Sequence, residues 1–154
     1  MISFFVPGLP QSQGSSKGFV VTPKGGGKPR AVITSTNKNL KNWRRDVRHA
    51  VEELKPIVVE PQWGEHGVGV SLRFCFQRPQ NHYNSKGELK PDAPRLKTSQ
   101  PDLDKFCRAA LDALTIAGLY TDDAQVTSLY AVKLWANNPG EVGVHFNVSS
   151  GEGV

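Results

Sequence analysis

Two short acidic stretches are the part of this sequence best equipped for chemistry. Asp102 and Asp104 stand two positions apart within Pro101-Asp102-Leu103-Asp104-Lys105-Phe106-Cys107-Arg108, and Asp122-Asp123 follow the apolar run that ends near Gly118. Carboxylate oxygens are hard donors suited to Mg²⁺ or Mn²⁺, ions that keep several waters and accept phosphate oxygens. Carboxylates at i and i+2 can converge on one cation where the backbone bends into a helix. Such a cation orients a phosphodiester, stabilises developing negative charge and acidifies an attacking water. The same residues also have a plainer use. Asp is a common helix N-cap, a second Asp in the first turn favours the helix dipole, and Asp122-Asp123 fits an ordinary polar turn.

The rest of the chain supplies the opposite charge. Its 154 residues carry 19 Lys and Arg against 14 Asp and Glu, a formal net charge of +5, with a pI of about 9.4. A basic balance of this kind favours a polyanionic partner. Nine Lys or Arg fall between Lys17 and Arg48, against the single acid Asp46, and eight more fall between Arg73 and Arg108. Acid embedded in basic surroundings is what phosphodiester hydrolysis needs, since the cation must bind while DNA is attracted. The candidate DNA contacts are Lys24, Lys28 and Arg30 in a Gly-rich stretch, Lys41, Arg44, Arg45 and Arg48 in a helical one, Lys90, Arg95 and Lys97 in a long irregular segment, and Lys105.

Several classes are disfavoured. Cys75 and Cys107 have no zinc-like spacing to each other or to histidine, and they read as reduced core residues of a cytoplasmic protein. The run Ile2 to Val6 is too short for a signal peptide, and no stretch reaches the length of a membrane span. The glycine run Gly25-Gly26-Gly27-Lys28-Pro29 lacks the Gly-Lys-Ser/Thr ending of a phosphate-binding loop. His66 and His82 read as surface or hydrogen-bonded residues.

The elements that must position the acids follow from periodicity. Ile2 to Val6 reads as a strand closed by Pro7-Gly8. Phe19 to Thr22 and Ala31 to Thr34 form a hairpin with a basic tip. From Thr36 to Leu54, Leu40, Trp43, Val47, Ala50, Val51 and Leu54 make one helical stripe, which places Trp43 in the core. After a linker from Pro56 to Gly67, Val68, Val70, Leu72, Phe74 and Phe76 alternate as a strand that leaves Arg73 on the solvated side. Gln77 to Pro101 is irregular and runs straight into the two aspartates. Leu103, Phe106, Ala110, Leu111 and Leu114 mark a second helix, with Gly118 as its stop. Asp112, one turn past Arg108, is expected to pair with Arg108 or Lys105. Gln125 to Trp135 and Val142 to Val148 are strands, joined through Asn137-Asn138-Pro139-Gly140 as a hairpin. The tail from Ser149 is expected to fray. The sum is a single α+β domain over residues 1–154, with two helices on one face of a small mixed sheet.

Three pieces together resemble the RusA family of Holliday-junction resolvases, proteins largely carried by phages and prophages. They are Pro101-Asp102-Leu103-Asp104, Leu111-Asp112-Ala113-Leu114, and Gly118-Leu119-Tyr120-Thr121-Asp122-Asp123-Ala124-Gln125-Val126, with His82-Tyr83 and Leu89 to Pro94 as further support. The resemblance covers the C-terminal half well and the N-terminal third in outline. It implies a homodimer acting on branched DNA, with two Mg²⁺-dependent active sites. It implies that Asp102, Asp104 and Asp123 are the metal-binding and catalytic residues, with Asp122 as an acidic neighbour. A family lysine falls on Arg108, where the charge is kept but proton donation is not. Lys105 stands where Asn is usual, and Ser99-Gln100 replaces a more typical Lys before the proline. Two other readings stay open: a branched-DNA-binding protein without cleavage, and a metal nuclease for flaps or other substrates.

Overall fold

The computed structural model describes residues 1–14, 16–35, 37–54, 63 and 66–151. Thr36, most of the linker between Pro56 and Gly67, and residues 152–154 lie outside the described residues, so the expectations placed on them are not compared. The described residues form six strands and two longer helices: β1 (Ile2–Pro7), β2 (Ser16–Val21), β3 (Arg30–Ser35), α1 (Leu40–Leu54), β4 (Val68–Phe76), α2 (Leu103–Ile116), β5 (Val126–Trp135) and β6 (Gly143–Ser150). β1, β6, β4 and β5 form one sheet in that order, and β2 and β3 form a second, two-stranded one. The architecture is the α+β arrangement read from the sequence.

The register of the main sheet corrects one expectation. β5 and β6 do not form a hairpin. β5 runs parallel to β4, with α2 as the crossover, and β6 lies antiparallel between β1 and β4. The turn at Asn137–Gly140 is present as a 3₁₀ turn over Pro139–Glu141, but it leads the chain past β4 and not back along β5. The reason lies in what β6 gains. Its Val144, Phe146 and Val148 are fully buried, and both edges of its backbone are paired, whereas the outer edge of β5 would satisfy only one. Nor does the chain fray at Ser149, because Ser149 and Ser150 pair with Gly69 and Val68.

Both helices contribute to the core on one face of this sheet. Trp43, Val47 and Val51 of α1, and Phe106, Ala110 and Leu114 of α2, join Leu72, Phe74 and Phe146 in a single cluster. Phe106 sits 5.4 Å from Phe74 and 5.1 Å from Phe76, and Phe4 stacks on Phe146 at 4.7 Å. Burying each of these rings is worth about 2 kcal/mol or more. Trp43 is core, as its place in the stripe predicts, and Cys75 and Cys107 are free and buried. Arg73 is exposed on the far face, where Phe5 packs 4.5 Å from His145.

α2 ends as expected. Gly118 takes φ +75°, its N–H donates to the Thr115 carbonyl, and that of Leu119 donates to the Leu114 carbonyl. This paired closure needs a left-handed residue after the cap, which glycine supplies without steric cost. The hairpin tip uses the same freedom at Gly25 and Gly26, with φ of 112° and 89°.

Candidate functional site

The irregular segment between β4 and α2 is more ordered than its composition suggests. Asn84 Oδ1 accepts from the N–H groups of Lys86 and Glu88, and Tyr83 bridges to Leu89. Leu96 bridges to Leu134, while the Lys97 N–H donates to the Lys133 carbonyl and the Trp135 N–H to the Arg95 carbonyl. Residues 95–97 thus add a short strip to the end of β5. Arg78 holds the segment from inside. It is 7% exposed, and its Nε and Nη1 donate to the carbonyls of Ala136 and Pro94 at 2.9 and 2.7 Å. His82 takes the hydrogen-bonded role expected of it, 3.3 Å from Arg78 Nη1 and edge-on to Trp135.

This segment delivers the chain to α2. Asp102 occupies the N-cap position, yet its side chain makes no capping bond, so the plain structural use of that aspartate is not the one found. Asp104 lies in the first turn, its side chain 70% exposed and 3.1 Å from the Lys105 ammonium. An exposed pair of that kind is worth at most about 1 kcal/mol and leaves the carboxylate accessible. At the far end of α2, Tyr120 is buried and donates from its hydroxyl to the Leu111 carbonyl. Burial, and secondarily the charges of Asp123 and Asp112, push the Tyr120 pKa far above its usual value, although a hydrogen bond with Thr115 works against the shift. The ring therefore anchors the segment leading to Asp122-Asp123.

These two aspartates divide the work. Asp122 accepts from the Ala124 N–H at 2.7 Å and forms a capping box with Gln125, which is the ordinary turn role. Asp123 is exposed and turned elsewhere. With Asp104, Arg108, Leu103, Cys107 and Tyr130 it lines an open concavity of about 670 Å³. Two carboxylates from opposite ends of α2 and the guanidinium between them thus share one surface depression. Among the described residues Arg108 has no hydrogen-bond or ion-pair partner. Asp102 is exposed but does not line this concavity, and no three His, Cys, Asp or Glu among the described residues are grouped closely enough to hold a metal ion by themselves. Burial, and then the Asp104 charge, raise the pKa of Cys107, so it lines the site as a neutral thiol.

Asp112 reaches neither Arg108 nor Lys105. It meets Arg44 of α1 at 3.5 Å, and Arg44 also donates to Gln13. Arg44 therefore joins the two helices and the N-terminal segment. The Gln13 N–H donates to the Lys105 carbonyl at 3.0 Å, and Asn37 Nδ2 donates to the Ser12 carbonyl. The base of the β2–β3 hairpin is thereby rooted beside the first turn of α2. Lys24, Lys28, Arg30, Lys41, Arg45, Arg48 and Arg95 are exposed. Arg48 pairs with Glu52 at 2.8 Å, and Lys90 donates to the Asn81 carbonyl. Lys97 differs from the other basic candidates: it is buried at 9% exposure, with its ammonium turned to the chain.

Sequence reasoning missed Lys133 and Tyr130 of β5. Tyr130 lines the concavity, and Lys133 donates to the carbonyls of Ser99 and Pro101, each at 2.8 Å. A signal was there, since Lys133 falls in the same alternation as Leu129, Ala131 and Trp135, where an apolar residue is expected.

No helix among the described residues is long and apolar enough to cross a membrane. No curated protein matches the chain. The sequence profile described as "Endodeoxyribonuclease RusA" matches residues 19–146, a span containing most of the hairpin, both helices, Asp102, Asp104, Arg108 and Asp123. With a match over most of its length, this chain belongs to the RusA endodeoxyribonuclease family.

Proposed function

We propose that the protein resolves four-way DNA junctions by paired symmetric nicks in recombination and repair, acting as a homodimer with Mg²⁺ (or Mn²⁺) in each site. The observation that carries this reading is the shared concavity of Asp104, Arg108 and Asp123 in a chain of this family. The donor set fits Mg²⁺, which is commonly held by one or two carboxylates and completes its shell with water and substrate phosphate. Asp104 and Asp123 would hold it, with Asp102 adjoining and Asp122 kept for the turn. When bound, the cation would polarise the scissile phosphate and acidify the attacking water.

The chain's own groups do the rest. The free guanidinium of Arg108 can meet a phosphate in bidentate fashion, fixing the substrate against the acids. Lys24, Lys28 and Arg30 at the hairpin tip, and Lys41, Arg45 and Arg48 on α1, give contacts to backbone phosphates that carry no sequence information. Paired nicking requires two sites. The exposed Leu129 and Tyr130, at 45% and 64% on edge strand β5, support a second copy at that edge. Such a protein works in the cytoplasm of a bacterial host, and the resemblance suggests that a phage or prophage encodes it.

The test uses a labelled four-way junction and the matching linear duplex, each with Mg²⁺ or EDTA, for wild type and Asp104→Asn. Cleavage of the junction alone, abolished by EDTA and by the substitution, is expected. Equal cutting of the duplex overturns the substrate, and undiminished cutting by Asp104→Asn overturns the site. One residue favours a second reading. Arg108 stands where a proton-donating lysine is usual, so a protein that binds branched DNA without cutting it would give junction retention in EDTA and no scission with Mg²⁺.

A further inference from the structure

Two lysines turn their ammonium groups onto the backbone just before the acidic helix entrance. Lys97 Nζ donates to the Ser99 carbonyl at 3.0 Å, to Ser99 Oγ at 2.8 Å and to the Gln100 carbonyl at 2.6 Å. It lies 5.1 Å from the centre of the Phe76 ring and 5.4 Å from that of Trp135. Lys133 Nζ donates to the carbonyls of Ser99 and Pro101, both at 2.8 Å. Three consecutive carbonyls are therefore held by two ammonium groups that share Ser99, and the next residue is Asp102. Two like charges brought together and partly buried are costly. Burial, then the Lys133 charge, lowers the Lys97 pKa. Such a pair persists only where dipoles or negative charge compensate it. Here the carbonyls and the aromatic faces do so directly.

We propose that Lys97 and Lys133 are positioning residues. Their ammonium groups clamp the Ser99–Pro101 turn and so fix the helix entrance that carries Asp102 and Asp104. The clamp assigns Lys97 to the protein interior and not to DNA. It spans two elements, because Lys133 lies on β5, the strand that starts just beyond Asp123. One pair of side chains thus ties both acidic stretches to a common frame. The catalytic consequence rests on the nuclease reading; the structural one does not.

The test compares Lys97→Met, Lys133→Met and Lys133→Arg with Lys86→Met, which removes an exposed charge from the turn at Asn84–Gly87. Lys133 is half-buried, so its variants keep the proposal testable should Lys97→Met fail to fold. Amide hydrogen exchange over residues 98–106 is expected to be about tenfold faster in Lys133→Met, intermediate in Lys133→Arg and unchanged in Lys86→Met. On junction substrate, kcat should fall about 10- to 100-fold in Lys133→Met, as for residues that orient ligand side chains. The junction KM and the salt dependence of binding should hold steady, and Lys133→Arg should recover part of kcat. Unchanged exchange in Lys133→Met overturns the clamp whether or not the protein cuts DNA. So does a loss of junction affinity with kcat intact and a salt slope reduced by about one, the mark of a phosphate contact. A wild type that cuts no junction removes the nuclease reading instead, and the exchange comparison still decides the clamp.

Discussion

Replacing Arg78 by methionine isolates the energetic role of the buried guanidinium, because Met keeps most of the stem and removes every donor. Two bonds are short: Nε to the Ala136 carbonyl at 2.9 Å and Nη1 to the Pro94 carbonyl at 2.7 Å. The contacts to His82 at 3.3 Å and Asn137 at 3.4 Å are long and add little. A hydrogen bond from a charged donor is worth about 1.5 kcal/mol at the low end, and the stranded carbonyls keep their desolvation cost. The expected loss is about 3 kcal/mol. The low end is chosen because Arg78 has no carboxylate partner among the described residues, so relief of its own burial offsets part of the loss. For a chain of this size about 3 kcal/mol lowers Tm by roughly 6–12 °C. Urea unfolding followed by far-UV circular dichroism gives the free energy, and an unchanged m-value confirms that the native state stays compact. A loss under about 1 kcal/mol would refute the reasoning, since those carbonyls would then have found other donors. Junction cleavage measured well below Tm should fall too, because the released segment leads directly to Asp102.

Other outcomes follow from single residues. Asp123→Asn should abolish cleavage while Asp122→Asn retains most of it, because Asn caps a turn nearly as well as Asp; equal effects in a gel-based cleavage assay would erase the division between these neighbours. Gly118→Ala should cost about 1 kcal/mol in thermal unfolding, the strain of a left-handed alanine at the end of α2. His145 is held below its ordinary pKa by burial first and by Arg73 second, against a smaller opposing effect of Glu141. Its unfolded form therefore takes up a proton more readily than its folded form, so its contribution to stability is complete above about pH 6.5 and is lost as pH falls through the lower folded value. Tm measured from pH 8 to 5 should show that decline, and His145→Gln should flatten it.

The two helices and the core were legible in the sequence because they rest on repeated spacing. Leu40, Trp43, Val47 and Val51, and Phe106, Ala110 and Leu114, are buried as their periods require. Gly118 was legible because its backbone conformation excludes most alternatives. Strand partners were not. The turn residues Asn137 to Gly140 report only that the chain changes direction, while the choice between the edge of β5 and the slot beside β4 depends on residues far away in sequence. The site divided in the same way. The carboxylates were visible as residue types, and their resemblance to a known pattern picked out a candidate set among them. The capping of the turn by Asp122, and its release of Asp123 to the concavity, depended on a local geometry that Asp-Asp alone does not encode. Lys97 shows the limit most clearly, because a lysine in a Pro-rich basic stretch gives no sign that a β-strand lysine lies beside it.

The placement of β6 also bears on how the molecule is made. β1 and β4 are not paired with each other; β4 also pairs with β5, whereas β1 joins the sheet through Gly143–Ser150 alone. During translation the first strand therefore has no neighbour to zip against until the sixth has left the ribosome, and Phe4 waits for Phe146 across most of the chain. Nascent-chain arrest at position 140 should accordingly yield a protease-sensitive polypeptide, with the apolar side of β4 unsealed and reliant on holdase chaperones.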